Sequence, residues 1–340
     1  MSSLVIAGEE ILPGERKQIS LTTAKLYDFT DMKMPVVVVR GREDGPTLFV
    51  SAAIHGDEIN GVDIVRRLLK HRLLKHIRGT LIAIPIVNVF GFNDKSRYLP
   101  DRRDLNRSFP GEEHGSLASQ IAYIFRTEIV EKATHGIDLH TGAIHRRNLP
   151  QIRADLTQPA NLALAKVFGA PVVLNASPRD GSLREMVSSE RVPMLLYEAG
   201  TALRFDHRAA LTGVEGILNV MRAIGMLPLD PRARAPAEPF IARSNHWVRS
   251  PISGIFLTRK KLGERVSRGD KLGSITNPFG DYELDILSPY DGVIIGNSIL
   301  PLANEGDGLY HIATFDLDGK MTAAMEDEIY PYIDPNLLDM

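Results

Sequence analysis

A chain of 340 residues with 44% hydrophobic content can bury a large core and is longer than one average domain needs, so two domains are expected. Lysine and arginine total 40 against 42 acidic residues, a formal charge of -2 with no contiguous run of five or six like charges, which argues against nucleic acid or an anionic membrane as the main partner. The absence of cysteine excludes disulfides and restricts any metal site to His, Asp and Glu, donors suited to hard or borderline cations.

The N-terminal stretch MSSLVIAGEEILPGERK lacks a basic segment followed by a long apolar one, and nowhere do eighteen apolar residues run together. A soluble, cytoplasmic protein is expected. MPVVVVRG and PTLFVSAAI flank the turn sequence REDG and predict neighbouring strands. GVDIVRRLLKHRLL places Val62, Val65, Leu68, Leu69 and Leu73 at the spacing of one helix face. GTLIAIPIVNVFGF predicts a central strand covered on both sides. SLASQIAYIFRTEIVEKA predicts a helix capped by Ser116. GIDLH, APVVLNA and VPMLLYEAG predict further buried strands, and RAALTGVEGILNVMRAIG a helix. This alternation implies an α/β domain, a mixed sheet flanked by helices, over residues 1–230.

LPLDPRARAPAEPF, residues 227–240, has no periodicity and marks a domain boundary. Beyond it, residues 241–340 predict a smaller all-β domain with an internal repeat. Ser250, Pro251 and Gly254 recur as Ser288, Pro289 and Gly292, and Gly269, Asp270, Leu272 and Ile275 as Gly306, Asp307, Leu309 and Ile312. The pattern resembles the lipoyl/biotinyl-like barrel-sandwich hybrid. No Met-Lys-Met is present in the second hairpin, so the domain is expected to be non-lipoylated, either structural or a wall of the active site.

The chemistry concentrates where apolar strands end. PTLFVSAAI runs into His55, Gly56, Asp57 and Glu58, and a histidine and a glutamate separated by two residues in one turn can converge on a single Zn²⁺. The alternative is a polar loop in which Asp57 caps a helix starting near Ile59. His140, in HGIDLHTG, ends a second strand. Together, His55, Glu58 and His140 form a His₂Glu set that leaves a coordination position for water, the pattern of a catalytic ion. Asp138 either orients a ligand imidazole or caps the strand end. Glu198 arrives at the end of VPMLLYEAGT and suits a general acid/base, or pairs with a nearby arginine. The loop SRYLPDRRDLNRSFPG gathers Arg97, Arg102, Arg103, Asn106 and Arg107; guanidinium groups bind carboxylates bidentately and an amide beside them can fix a second oxygen, the alternative being a solvated charged loop.

HGDE, DLNRSFPG, DLHTG and YEAGT, in this order, resemble the succinylglutamate desuccinylase/aspartoacylase family, a branch of the zinc carboxypeptidase superfamily. The resemblance covers about the first 230 residues, and a barrel-like C-terminal domain fits that family too. It implies one zinc ion per chain on His55, Glu58 and His140, with Glu198 as general acid/base. It also implies Asn106 and Arg107 as receivers of the substrate carboxylate, and Arg97 as the group polarising the scissile carbonyl. The spacing to DLNR leaves Arg102 and Arg103 as alternatives for that last role. Arg184 resembles a further substrate-binding arginine, with a structural salt bridge as the alternative. The implied activity is hydrolysis of the amide bond of a small anionic N-acyl amino acid. A metallocarboxypeptidase acting on short peptides is the nearer alternative, and a non-catalytic protein on the same scaffold the more distant one. The acyl group and the amino acid stay open, as does a homo-oligomer. Phe109 and Tyr197 suit either pocket or core, and Trp247 is expected to pack the domains together.

Overall fold

A computed structural model describes residues 3–229 and 237–314. Part of the expected boundary, 230–236, and the end of the expected C-terminal domain, 315–340, lie outside the described residues. The described residues form a large mixed sheet flanked by helices and a smaller antiparallel sheet near the C-terminal end.

Parallel strands Met194–Thr201, His135–Gly142, Thr47–Ala52 and Thr80–Ile84 lie side by side at the centre of the large sheet. Asp31–Arg40 and Arg16–Lys25 extend it antiparallel at one edge. The central strands are buried on both faces, which is why they appear in sequence as nearly unbroken apolar runs. Alternate residues serve opposite cores. Leu48, Val50 and Ala52 face helices Asn60–Leu68, Pro159–Phe168 and His207–Ala223, while Phe49 packs with helices Leu117–Glu128 and Leu183–Ser189.

Three local expectations need correction. GTLIAIPIVNVFGF is strand only over Thr80–Ile84; Pro85 lacks an N–H for the ladder, and Asn88 accepts from Gly91 N at 2.8 Å to cap helix Val89–Asp94. GVDIVRRLLKHRLL is also two pieces. The helix ends at Leu68, His71 is extended with its side chain accepting from Leu73 N, and a 3₁₀ turn covers Arg72–His76. Asp57 caps nothing: the helix begins at Asn60, its N-cap is Ile59, and Asp57 Oδ1 is buried without a partner. Ser116 does cap its helix, accepting from Ser119 N.

The C-terminal repeat is realised as an interlocked pair. Gly254–Thr258 pairs with Lys271–Thr276, as Gly292–Ser298 pairs with Gly308–Thr314. The short strands between them are exchanged: Arg265–Val266 joins Gly292–Ser298, and Leu302–Ala303 joins Gly254–Thr258. Matching residues make matching bonds. Gly269 N donates to Ser288 O at 2.7 Å and Gly306 N to Ser250 O at 2.8 Å. This unit does not hang free of the α/β layer. Gly292–Ser298 pairs antiparallel with Arg146–Ala154, which itself pairs with Met194–Thr201, so one of its two sheets continues the central sheet.

At this junction Trp247 stacks on His311, with ring centroids 4.6 Å apart, and Arg146 lies 4.7 Å from the Trp247 ring centroid. The tryptophan thus joins the two halves. His311 is buried and donates from Nε2 to Asn245 Oδ1 at 2.7 Å. Burial, reinforced by the positive charges of Arg153 and Arg146, pushes its imidazole down to about 3.

The turn that follows Thr47–Ala52 is seated directly on helix Val89–Asp94. A Cβ on Gly56 would lie 1.9 Å from Gly91 C and 2.1 Å from Phe92 N, both backbone atoms. Gly56→Ala is therefore expected to cost about 2 kcal/mol or more, read as a lowered urea midpoint. For His311 the unfolded imidazole, near 6.5, protonates before the folded one. Its stabilising contribution is complete above that value and is lost as pH falls towards about 3. The stability advantage of wild type over His311→Asn should therefore shrink between pH ~6.5 and ~5, by up to about 1.4 kcal/mol per unit, in urea titrations of both proteins.

Candidate active site

The C-terminal ends of the parallel strands carry the site, the place where open α/β sheets present their functional groups. After Ala52 the chain turns sharply at Ala53, whose φ of 52° is in the left-handed region, and delivers His55 and Glu58 into one turn. Glu58 is fully enclosed and every contact to its carboxylate is a donor. Oε1 lies 2.8 Å from His55 Nδ1 and 3.2 Å from Arg97 Nη1. Oε2 lies 2.8 Å from His140 Nδ1 and 3.1 Å from Thr141 N. His55, Glu58 and His140 are all buried, and one donor atom from each falls within 4.8 Å of the others.

The far side of each imidazole is also held. His140 Nε2 lies 2.7 Å from Asp138 Oδ2, and Asp138 Oδ1 accepts from Ser51 Oγ at 2.7 Å. Of the two roles open to Asp138, orienting the ring is the one its contacts perform. His55 Nε2 lies 3.2 Å from Asp104 Oδ1, a partner that sequence reasoning passed over within DLNR. Carboxylates behind the imidazoles fix ring orientation and present Nδ1 towards Glu58. Burial opposes ionisation of Glu58, but the facing His55 and His140 outweigh it and hold its carboxyl well below the usual range. Burial likewise lowers both imidazoles, yet Asp138 and Glu58 raise His140, and Glu58 and Asp104 raise His55, above the ordinary value. Two imidazole nitrogens and one carboxylate, buried and converging, form a donor set suited to a borderline divalent cation.

Glu198 sits beside His140 in register on the neighbouring parallel strand. A register shift follows it, with Gly200 at φ 81°; such a bulge re-aims the side chains next to it. Arg153 Nε lies 2.6 Å from Glu198 Oε2, and Gln151 Nε2 donates to the same oxygen at 3.2 Å. The expected arginine partner is thus present, and Glu198 still lines the same cavity as the two histidines.

That cavity, about 360 Å³, has an unusual lining. Arg97, Arg107, Arg146, Arg153, Arg179 and Arg184 all border it. Arg97 is tied to Glu58 and Asp104, and Arg153 to Glu198. Among the described residues the other four make no ion pair with a protein carboxylate. Arg184 donates to Ala176 O and Ser177 O at 2.9 and 3.1 Å, so the salt-bridge alternative for it is not what forms. Burial, with Arg153 close by, pushes it down to about 10. Arg107 donates to Asn106 O, and Asn106 Oδ1 accepts from Leu183 N at 2.9 Å. Arg102 and Arg103 are exposed and do not line the cavity. Phe109 and Tyr197 are core residues, the latter donating to Ala209 O at 2.7 Å. Asn245, Trp247 and His311 bring the C-terminal strands into the wall. Arg146, Arg153 and Arg179 lie outside the recognisable motifs, and no pattern in the sequence singles them out.

A family model described as the succinylglutamate desuccinylase/aspartoacylase catalytic domain matches residues 44–224. The N-alpha-acetyl-L-2,4-diaminobutyric acid deacetylase of Halomonas elongata is 26% identical over 295 residues, 82% of this chain and 85% of that protein. The succinylglutamate desuccinylase of Pseudomonas aeruginosa is 29% identical over 146 residues, 40% of this chain and 42% of that protein. In fold, the chain is similar to the product-bound ectoine utilization protein from Ruegeria pomeroyi, with TM-score 0.80 and 24% identity, covering 89% of this chain and 98% of that one. A succinylglutamate desuccinylase/aspartoacylase structure from Rhodobacter sphaeroides gives TM-score 0.76 at 24% identity, covering 88% and 96%. With the catalytic-domain match spanning more than half of its length and the His55, Glu58 and His140 group inside that match, the chain belongs to the succinylglutamate desuccinylase/aspartoacylase family of hydrolases.

Proposed function

We propose that the protein is a zinc-dependent hydrolase that cleaves the amide bond of a small, anionic N-acyl amino acid. The observation that carries this reading is the convergence of His55, Glu58 and His140 at one side of a cavity that also holds Glu198 and four arginines that make no ion pair with a carboxylate among the described residues. Zinc, when bound to these three side chains, supplies the Lewis acidity that activates water and polarises a carbonyl.

The remaining work falls to the chain. Glu198 takes the proton of the attacking water and returns it to the leaving amine; Arg153 and Gln151 hold its carboxylate in place until then. Of Arg97, Arg102 and Arg103, Arg97 is the one that lines the cavity, which supports it as the donor facing the developing oxyanion. Asn106 and Arg107 receive the substrate carboxylate, and Arg184 serves as a further guanidinium for the anionic substrate. Fixing the carboxylate there aligns the scissile bond and lowers the entropic part of the barrier.

Residues 1–230 act as the catalytic domain and residues 241–340 as the C-terminal domain, whose described strands supply a wall through Asn245, Trp247 and His311. A cavity of about 360 Å³ closed on that side suits a small molecule better than a polypeptide, which favours deacylation over carboxypeptidase action. No helix among the described residues is long and apolar enough to cross a membrane.

Two measurements test the reading. Elemental analysis of purified protein should give about one equivalent of zinc. His140→Ala should lose it, and Asp138→Asn should bind it about 10- to 100-fold more weakly in competition with a chelating dye. Turnover of N-acetylaspartate and N-succinylglutamate should fall about 10²- to 10⁴-fold in Glu198→Gln with zinc content unchanged. Loss of zinc in that variant would instead make Glu198 a ligand or a structural group.

A further inference from the structure

A second depression, of about 980 Å³, shares no lining residue with the active-site cavity. It lies at the opposite end of the parallel strands, around the start of Thr80–Ile84 and the end of Asp31–Arg40. Three segments distant in sequence converge on it. Arg16 comes from the first, Arg40 and Arg42 from the second, and Lys70, Arg72, Lys75 and Arg78 from the third. Against these seven cations the lining holds two carboxylates, Glu15 and Glu43. A chain whose formal charge is -2 thus carries a local excess of five positive charges, with His71 and His76 counted neutral.

Three of these charges are engaged within the protein: Arg78 pairs with Glu43 at 3.0 Å, Arg16 donates to Leu69 O at 2.8 Å, and the buried Arg40 donates to Ile11 O. Lys70, Arg72, Lys75 and Arg42 make no ion pair or side-chain hydrogen bond among the described residues. Arg72 and Lys75 are three apart on the 3₁₀ turn Arg72–His76, where side chains at that spacing eclipse. Like charges so placed repel each other unless an anion lies between them, and a concave surface of one sign focuses its field on such an anion. Guanidinium and ammonium groups together are the donors that recognise phosphate oxygens. No Phe, Tyr or Trp lines the depression, so it offers no stacking platform for a base.

We propose that this basic depression is a binding site for a soluble oligophosphate, recognised through consecutive phosphate groups, whether free or as the phosphate chain of a nucleotide. The site is independent of the hydrolytic reading, since it contains none of the residues that reading uses.

Calorimetric titration of the full chain with sodium tripolyphosphate, at ~0.1 M salt where exposed charges are only partly screened, tests it. Saturable binding of one equivalent is expected. It should weaken at least tenfold in Arg72→Glu/Lys75→Glu and persist in Arg179→Ala, which removes a cation from the other cavity instead. Unchanged thermal midpoint and amide-hydrolysing turnover in the double variant would show that the fold is intact. Should the charge reversals prevent folding, Arg42→Ala and Lys70→Ala should each still weaken binding about threefold. ATP binding as tightly as tripolyphosphate, with no binding of adenosine, would assign the site to a nucleotide's phosphate chain. Tripolyphosphate binding alone would assign it to free oligophosphate. The proposal is overturned if wild type does not bind, if the double variant binds as well as wild type, or if adenosine binds alone. It is also overturned if a short polyglutamate binds as tightly as tripolyphosphate, which would make the depression a surface for acidic polypeptide.

Discussion

The arrangement of this protein's site depends on one buried carboxylate. Glu58 has lost its water, a loss that would cost several kcal/mol if uncompensated, and four donors replace it: two imidazoles, a guanidinium and a backbone amide. These donors come from separate parts of the chain. The turn after Thr47–Ala52, the end of His135–Gly142 and the Arg97–Arg107 loop are fastened to each other through this group. A carboxylate held in this way is fixed in position and ionised, two properties required of a metal ligand.

The supports behind it extend the same logic outward. Asp138 and Asp104 occupy the distal nitrogens of the two imidazoles, and Ser51 in turn holds Asp138. Ser51 and Asp138 lie on neighbouring strands of the rigid parallel sheet, which sets the spacing behind His140, while Asp104 reaches His55 from the Arg97–Arg107 loop. Beyond this shell the cavity is strongly cationic: Arg97 and Arg153 are paired with carboxylates, but Arg107 and Arg184 are spent on carbonyls, and Arg146 and Arg179 make no ion pair among the described residues. Electrostatic repulsion among them is a standing cost that an anionic ligand relieves. The C-terminal strands contribute Trp247 and His311 to the same space because one of their sheets is joined, strand to strand, to the central one.

Much of this was legible in the sequence because it is written in short range. Strand periodicity located the ends at which His55, His140 and Glu198 sit, and the spacing of His55 and Glu58 within one turn marked half of the donor set. The repeat of Ser250 and Gly269 in Ser288 and Gly306 foretold paired β units. What failed was local competition between signals. Apolar residues continue past Ile84, but Pro85 and the capping Asn88 end the strand and begin a helix. An apolar face continues past Leu68, but His71 breaks it. Asp57 occupies a position typical of a cap, yet the helix starts only at Asn60 with no side-chain capping bond, and Asp57 Oδ1 is buried without a partner.

The sequence by itself determined the α/β class, the family motifs, the donor residues and the absence of thiol chemistry, since each depends on residue identity or on spacing within one element. Tertiary structure alone decided which arginines face the cavity. Arg97 reaches it while Arg102 and Arg103 do not, and Arg146, Arg153 and Arg179 join from segments with no motif. It also decided that Arg16, Arg42 and Arg72 share one depression. Counting charge along the chain shows near balance and no run, because charge density in space is set by which strands become neighbours. The physical reason is the same for both clusters: electrostatic interactions act through distance in the folded molecule, and sequence separation does not encode that distance.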